Sequence, residues 1–203
     1  MLPMNAMVTL VDAKHVQEMQ GKSLGMMDRA CGSFLAGDLM EAAVLWTKEA
    51  NEGNSAAMER LARCFHEGWG VERDMAQAVV WFNLAAEHGD VKAMLWLGDR
   101  YRDGTMGVET DAVKAFGWFR NAAALGNGRA MRELALCFQL GTGVDKNDTE
   151  AVKWFEKAVT LGNRRAMVDL AFHLYAGKGV KKDEARASAL HSRAKVMSLR
   201  LEP

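Results

Sequence analysis

Histidine, cysteine and glycine are the residue types in this chain that could do chemistry, and their spacing decides whether they do. The five histidines, His15, His66, His88, His173 and His191, never form His-Glu-x-x-His and never stand at ligand spacing from a cysteine, so the zinc patterns are missing. The three cysteines, Cys31, Cys64 and Cys137, are odd in number and unpaired in spacing, which fits reduced thiols in a cytosol-like compartment better than a disulfide framework. Gly68-Trp69-Gly70 has the composition of a phosphate cradle, but it follows a helical pattern instead of a strand, and no Gly-Lys-Ser/Thr completes it. Asp145-Lys146-Asn147-Asp148-Thr149-Glu150 lacks the central glycine and distant glutamate of a calcium loop. No Gly-x-Ser-x-Gly elbow offers a nucleophile. The expectation is a protein that is not an enzyme and that uses no metal or cofactor.

What the glycines do instead is mark a period. Gly53, Gly89, Gly126 and Gly162 each begin a similar stretch, Gly-Asn-Ser-Ala-Ala-Met in the first and Gly-Asn-Arg-Arg-Ala-Met in the last. Gly68 to Val71, Gly104 to Val108, Gly141 to Val144 and Gly177 to Val180 keep the same beat, as do Trp81-Phe82, Trp118-Phe119 and Trp154-Phe155. Three markers in phase predict stacked repeats, in which each unit buries its apolar face against its neighbours.

Residues 54–89 show how one unit builds itself. Asn54 is an N-cap residue, and Ala57, Met58, Leu61, Ala62 and Phe65 follow at the spacing of one helical face. Gly68 is placed to end that helix in the left-handed conformation, and Gly70 to allow the reversal. Asp74 with Gln77, like Asn147 with Glu150, reads as a capping box opening a second helix. That helix buries Ala78, Trp81, Phe82, Ala85 and Ala86 and stops at Gly89. Each large apolar side chain so buried contributes about 1.5–3 kcal/mol, too little for a lone pair to offset its ordering entropy. Cys64 and Cys137 take the same repeat position and read as a packing slot. Met58, Met94, Met131 and Met167 likewise fill the core.

The totals agree. In 203 residues, 49% are hydrophobic and 26 Lys and Arg balance 26 Asp and Glu, so nothing favours bulk attraction to nucleic acid or an anionic membrane. No run of about 18 apolar residues predicts a membrane span. Residues 1–20 have no basic, long-apolar signal pattern, and Asp12 and Glu18 lie among them. A cytoplasmic location is expected.

The unit from Met94 carries Leu97-Gly98, Tyr101, Gly104, Gly107-Val108, Asp111, Lys114-Ala115, Trp118-Phe119, Ala122-Ala123 and Gly126. In these residues the chain resembles the Sel-one-like repeat, a relative of the tetratricopeptide repeat, over about residues 54–195. Departures are one extra residue in Gly104-Thr105-Met106-Gly107 and Leu190-His191 where Trp-Phe is expected. The resemblance implies an all-α fold, a superhelical α/α solenoid of about five stacked antiparallel helix pairs, acting as an adaptor or scaffold for other proteins. A single solenoid is expected over residues 22–203, with units over 22–53, 54–89, 90–126, 127–162 and 163–199, and an arm or capping segment over 1–21.

If the units stack as in tetratricopeptide proteins, the first helix of each pair lines a concave groove. Its open positions are then Glu59, Arg60, Arg63 and His66; Leu95, Trp96, Asp99 and Arg102; Arg132, Glu133, Leu136 and Gln139; Val168, Asp169, Phe172 and Tyr175. Apolar and aromatic residues among charges suit a peptide-binding surface. Trp96, Leu136, Phe172 and Tyr175 have two readings, open anchors or side chains covered by tight superhelical curvature or by the C-terminal helix, Glu184 to Leu199. The Lys and Asn pattern of a two-carboxylate clamp is missing at Glu59, Leu95, Arg132 and Val168. Two functions stand: an adaptor, monomeric in isolation, that holds a protein or peptide in the groove, and a constitutive subunit of a larger assembly with no groove ligand.

Overall fold

Residues 25–199 of the protein are described by a computed structural model, and all the regular elements among them are helices. In chain order these are α1 (25–35), α2 (Leu39–Asn51), α3 (Ser55–Glu67), α4 (Met75–Glu87), α5 (Val91–Asp103), α6 (Ala112–Ala124), α7 (Gly128–Leu140), α8 (Asp148–Thr160), α9 (Arg164–Ala176) and α10 (Glu184–Leu199). The arm or capping segment expected over residues 1–21, and the start of the helix expected from Lys22, lie outside the described residues. The chain divides at His88–Gly89 into two compact units. In the first, α2 packs on α3 and α3 on α4. In the second, each helix from α5 to α10 packs on the next.

Local chemistry sets the helix boundaries. Asn54, Asp90, Asn127 and Asn163 open α3, α5, α7 and α9, each side chain accepting from N–H groups of the first turn. Gly68, Gly104, Gly141 and Gly177 close the same helices in the left-handed conformation, each donating its N–H to the carbonyl four residues back. The capping boxes expected at α4 and α8 are half present. Asp74 and Asn147 do accept from the N–H groups of Gln77 and Glu150. Their own N–H groups, however, donate across the loop to the carbonyls of Phe65 (2.9 Å) and Phe138 (2.8 Å). Asp111 to Tyr101 (2.8 Å) and Asp183 to Leu174 (2.9 Å) repeat the bond. The cap residue therefore clasps the two helices of its pair together, and no side chain is needed to satisfy that N–H.

The second glycine of each short loop has a further reason to be glycine. A Cβ on Gly70 would stand 2.0 Å from the Leu39 carbonyl oxygen, on Gly143 2.0 Å from that of Ala112, and on Gly179 2.2 Å from that of Asp148. The loop thus rests its bare backbone on the first turn of the preceding pair's second helix.

The core corrects one expectation. Of each Trp-Phe pair, the phenylalanines Phe82, Phe119 and Phe155 are fully buried, whereas Trp81, Trp118 and Trp154 are only half-buried. Adjacent helical residues point about 100° apart, so only one of two neighbouring rings can face the pair's centre. Phe65 is likewise half-buried. Around the phenylalanines lie the buried Leu61, Leu97, Leu134 and Leu170 and the small Ala62, Gly98, Ala135 and Ala171. In the first pair Trp46 takes the phenylalanine position; Phe34 lies 5.5 Å from it and 5.1 Å from Trp69.

Candidate protein-binding surface

Each predicted groove residue falls into one of three physical states, and only one of these leaves a side chain available to a partner. In the first unit, Glu59 is buried and paired with Arg63 and, at 3.9 Å, with Arg60. His66 Nδ1 lies 2.8 Å from the Glu67 carboxylate at the end of α3. The expected open position of Glu59 is thus an interior carboxylate that orients two partly exposed arginines.

In the second unit the predicted charges pair with one another and with Arg129, which was not among them. Arg129 meets Asp99 at 2.7 Å, Asp99 meets Arg102 at 3.0 Å, and Arg102 meets Glu133 at 3.0 Å. Arg132 then joins Glu133 (3.0 Å) to Asp169 (2.5 Å). One network so runs across α5, α7 and α9, with Glu133 buried within it. The Asp103 carboxylate, with help from Asp99 and Glu133, raises the pKa of Arg102, and Arg102 in turn lowers that of Asp103. Charges satisfied in this way hold neighbouring repeats in register and present little unmet demand to a ligand. Leu95 is buried, Leu136 is half-buried against the core of the last pairs, and Gln139 is half-buried. Trp96 is half-buried, with the Arg100 guanidinium 5.6 Å from its ring centre.

The third state is confined to α9. Val168 is 41% exposed, Phe172 51% and Tyr175 61%. Of the two readings of Phe172 and Tyr175, the covered one does not hold in the described residues: α10 packs beside them and leaves both rings open. Between α9 and α10 lies a cleft of about 520 Å³, lined by Val168, Phe172 and Tyr175 on one side and Ser188, His191 and Ser192 on the other, with Ala171 and Ala187 also in its wall. The Lys178 Nζ lies 5.3 Å from the Phe172 ring centre and the Lys182 Nζ 5.5 Å from that of Tyr175.

The α10 side of this cleft was not among the predicted residues. Its signal is the Leu190-His191 departure: where Phe82, Phe119 and Phe155 fill a core, His191 is exposed. The cysteines behave as packing residues. Burial pushes the thiols of Cys64 and Cys137 up to about 11, far from nucleophilic use at neutral pH. Among the described residues no group of three or more His, Cys, Asp or Glu could hold a metal, and no helix is long and apolar enough to cross a membrane.

Comparison with known proteins bears on the same residues. A family model described as Sel1 repeat matches 55–90, 91–127, 128–163 and 164–195. The chain is 31% identical to a protective antigen present in uropathogenic Escherichia coli strains that displays an SLR fold, with a TM-score of 0.79 over 88% of this chain and 39% of that one. It is 30% identical to a Sel1 repeat protein from Oxalobacter formigenes, with a TM-score of 0.74 over 84% of this chain and 69% of that one. The chain therefore spans about two fifths of the antigen's length. No curated protein matches the sequence.

Proposed function

The chain belongs to the Sel1 repeat family, whose members are generally non-catalytic scaffolds for protein–protein interaction, and from that premise we propose that this protein is an adaptor that holds a protein segment against α9. The observation that carries the reading is the contrast within the second unit. The charged positions on α5 and α7 are consumed by their own network, while Phe172 and Tyr175 stand open beside a cleft. Exposed aromatic rings bordering a concavity are the features that anchor a partner's side chains. The protein carries no catalytic residue in this reading and acts in the cytoplasm.

One observation favours a constitutive subunit instead. In the first unit Leu35, Met40 and Val44 are exposed on and beside α2, and such a cluster suits a permanent neighbour. A tagged pull-down from native lysate, comparing wild type with Phe172→Ser/Tyr175→Ser and with Met40→Ser/Val44→Ser, separates the two. The adaptor reading expects a partner lost only with the α9 variant. Loss only with the α2 variant contradicts it and supports the subunit.

A further inference from the structure

We propose that the cleft between α9 and α10 takes a segment of a partner protein in which a leucine or aromatic anchor is flanked by acidic residues; the proposal deepens the adaptor reading and rests on it. Charge on the last repeat favours acid. Residues 164–195 contain eight Lys and Arg against three Asp and Glu, a net charge of +5, in a chain whose total is zero. The few local acids are already engaged. Asp169 pairs with Arg132, Asp183 caps α10 through the Arg186 N–H, and Glu184 pairs with Lys182 at 2.6 Å.

The excess is placed where a ligand would feel it. Lys178 lies over Phe172 and Lys182 over Tyr175, and the exposed Lys181 stands between them in the chain. The loop before α10 is thus a basic rim on an aromatic wall. A carboxylate bound beside Lys178 sits next to the Phe172 ring that receives the anchor.

The shape of the cleft selects the anchor. Its wall runs from the open rings of Phe172 and Tyr175 down to the buried Ala171 and Ala187. An apolar side chain laid between the two rings covers the wall that they form with Ala171 and Ala187. The opposite wall of Ser188, His191 and Ser192 is polar, so the anchor lies with its apolar face on α9 and the segment's backbone can hydrogen-bond toward α10. At about 520 Å³ the cleft falls within the ordinary range of ligand sites, roughly 300–1,000 Å³.

The test pans a phage-displayed random dodecapeptide library on the immobilised full chain. Enriched peptides are then measured by fluorescence anisotropy against wild type, Phe172→Ser and Lys178→Glu/Lys182→Glu. All three substituted positions are exposed, and circular dichroism confirms that the variants are folded. The proposal expects enriched peptides combining Leu, Phe or Trp with Asp or Glu. It also expects affinity at least tenfold weaker with either variant, and weakening with added salt in wild type. Neutral or basic peptides lost with Phe172→Ser but retained by the lysine variant overturn the acidic specification and leave the adaptor reading standing. Peptides indifferent to Phe172→Ser, or no enrichment, overturn both. Self-association of the chain abolished by Phe172→Ser overturns the proposal by making a second copy the occupant, and sedimentation without peptide detects it.

Discussion

The ring of Phe119 occupies the space that a side chain on Gly98 would need. A Cβ built on Gly98 stands 2.5 Å from the nearest ring carbon, and Phe119 is fully buried. The other three repeats hold alanine at this position, so the second repeat has exchanged a methyl group for closer contact between α5 and α6.

That exchange can be tested against a second helical glycine. Gly117 also lies inside a helix, α6, yet a Cβ there meets nothing within 4 Å. Replacing glycine by alanine in a helix interior is worth about 1 kcal/mol, while overpacking a filled core costs about 1–3 kcal/mol. Gly117→Ala should raise stability by up to about 1 kcal/mol, and Gly98→Ala should lower it despite the same propensity gain. Urea denaturation of the two variants beside wild type measures both signs.

The Trp-Phe pair gives a second comparison. Phe119→Ala empties a fully buried site and is expected to cost about 3–5 kcal/mol, whereas Trp118→Ala, at a half-buried position, should cost clearly less. Thermal and chemical melts that reverse this order would reassign the core face of α6.

The loop glycines separate conformation from contact. Gly141 and Gly143 both have positive φ, +74° and +70°. A Cβ on Gly141 meets only ordinary contacts from 3.5 Å outward, while on Gly143 it meets the Ala112 carbonyl at 2.0 Å. Left-handed backbone costs a residue with a side chain about 1–2 kcal/mol, so Gly141→Ala should lose about that much. Gly143→Ala should lose more, because backbone on both sides must move. Equal melting points for the two variants would show that the close approach is not felt in solution.

The buried thiols set a limit at high pH. Their folded pKa of about 11 lies above the ordinary 9.0, so the folded state holds a proton that the unfolded state releases. This stabilisation is complete below pH 9.0 and declines as pH rises toward about 11. Melting temperature should therefore fall from pH 9 to 11 more steeply in wild type than in Cys64→Ala/Cys137→Ala. At pH 8 a thiol reagent should leave Cys64 and Cys137 unmodified until the chain unfolds.

The repeat was legible because its markers obey local rules. An asparagine or aspartate opens a helix through its own side chain, and a glycine closes it through its own φ, so both can be read one residue at a time. Which ring of a Trp-Phe pair is interior depends on the neighbouring helix, and the pair alone does not tell. The charge network across α5, α7 and α9 was hidden for the same reason. Arg132 and Asp169 are 37 residues apart, and their meeting needs two repeats in register. Phe172 and Tyr175 were identified from position, but their openness depends on how α10 lies. The His191 departure pointed to that end of the chain without specifying the cleft.

Whether a partner is held against α9 is decided by photo-crosslinking. A photoreactive phenylalanine derivative is placed at Phe172, or at the exposed Val80 on α4 as the comparison site, in the full chain within its native cells. Irradiation is predicted to give one discrete protein adduct from position 172 and none from position 80. An adduct from position 80 with none from 172 would contradict the claim.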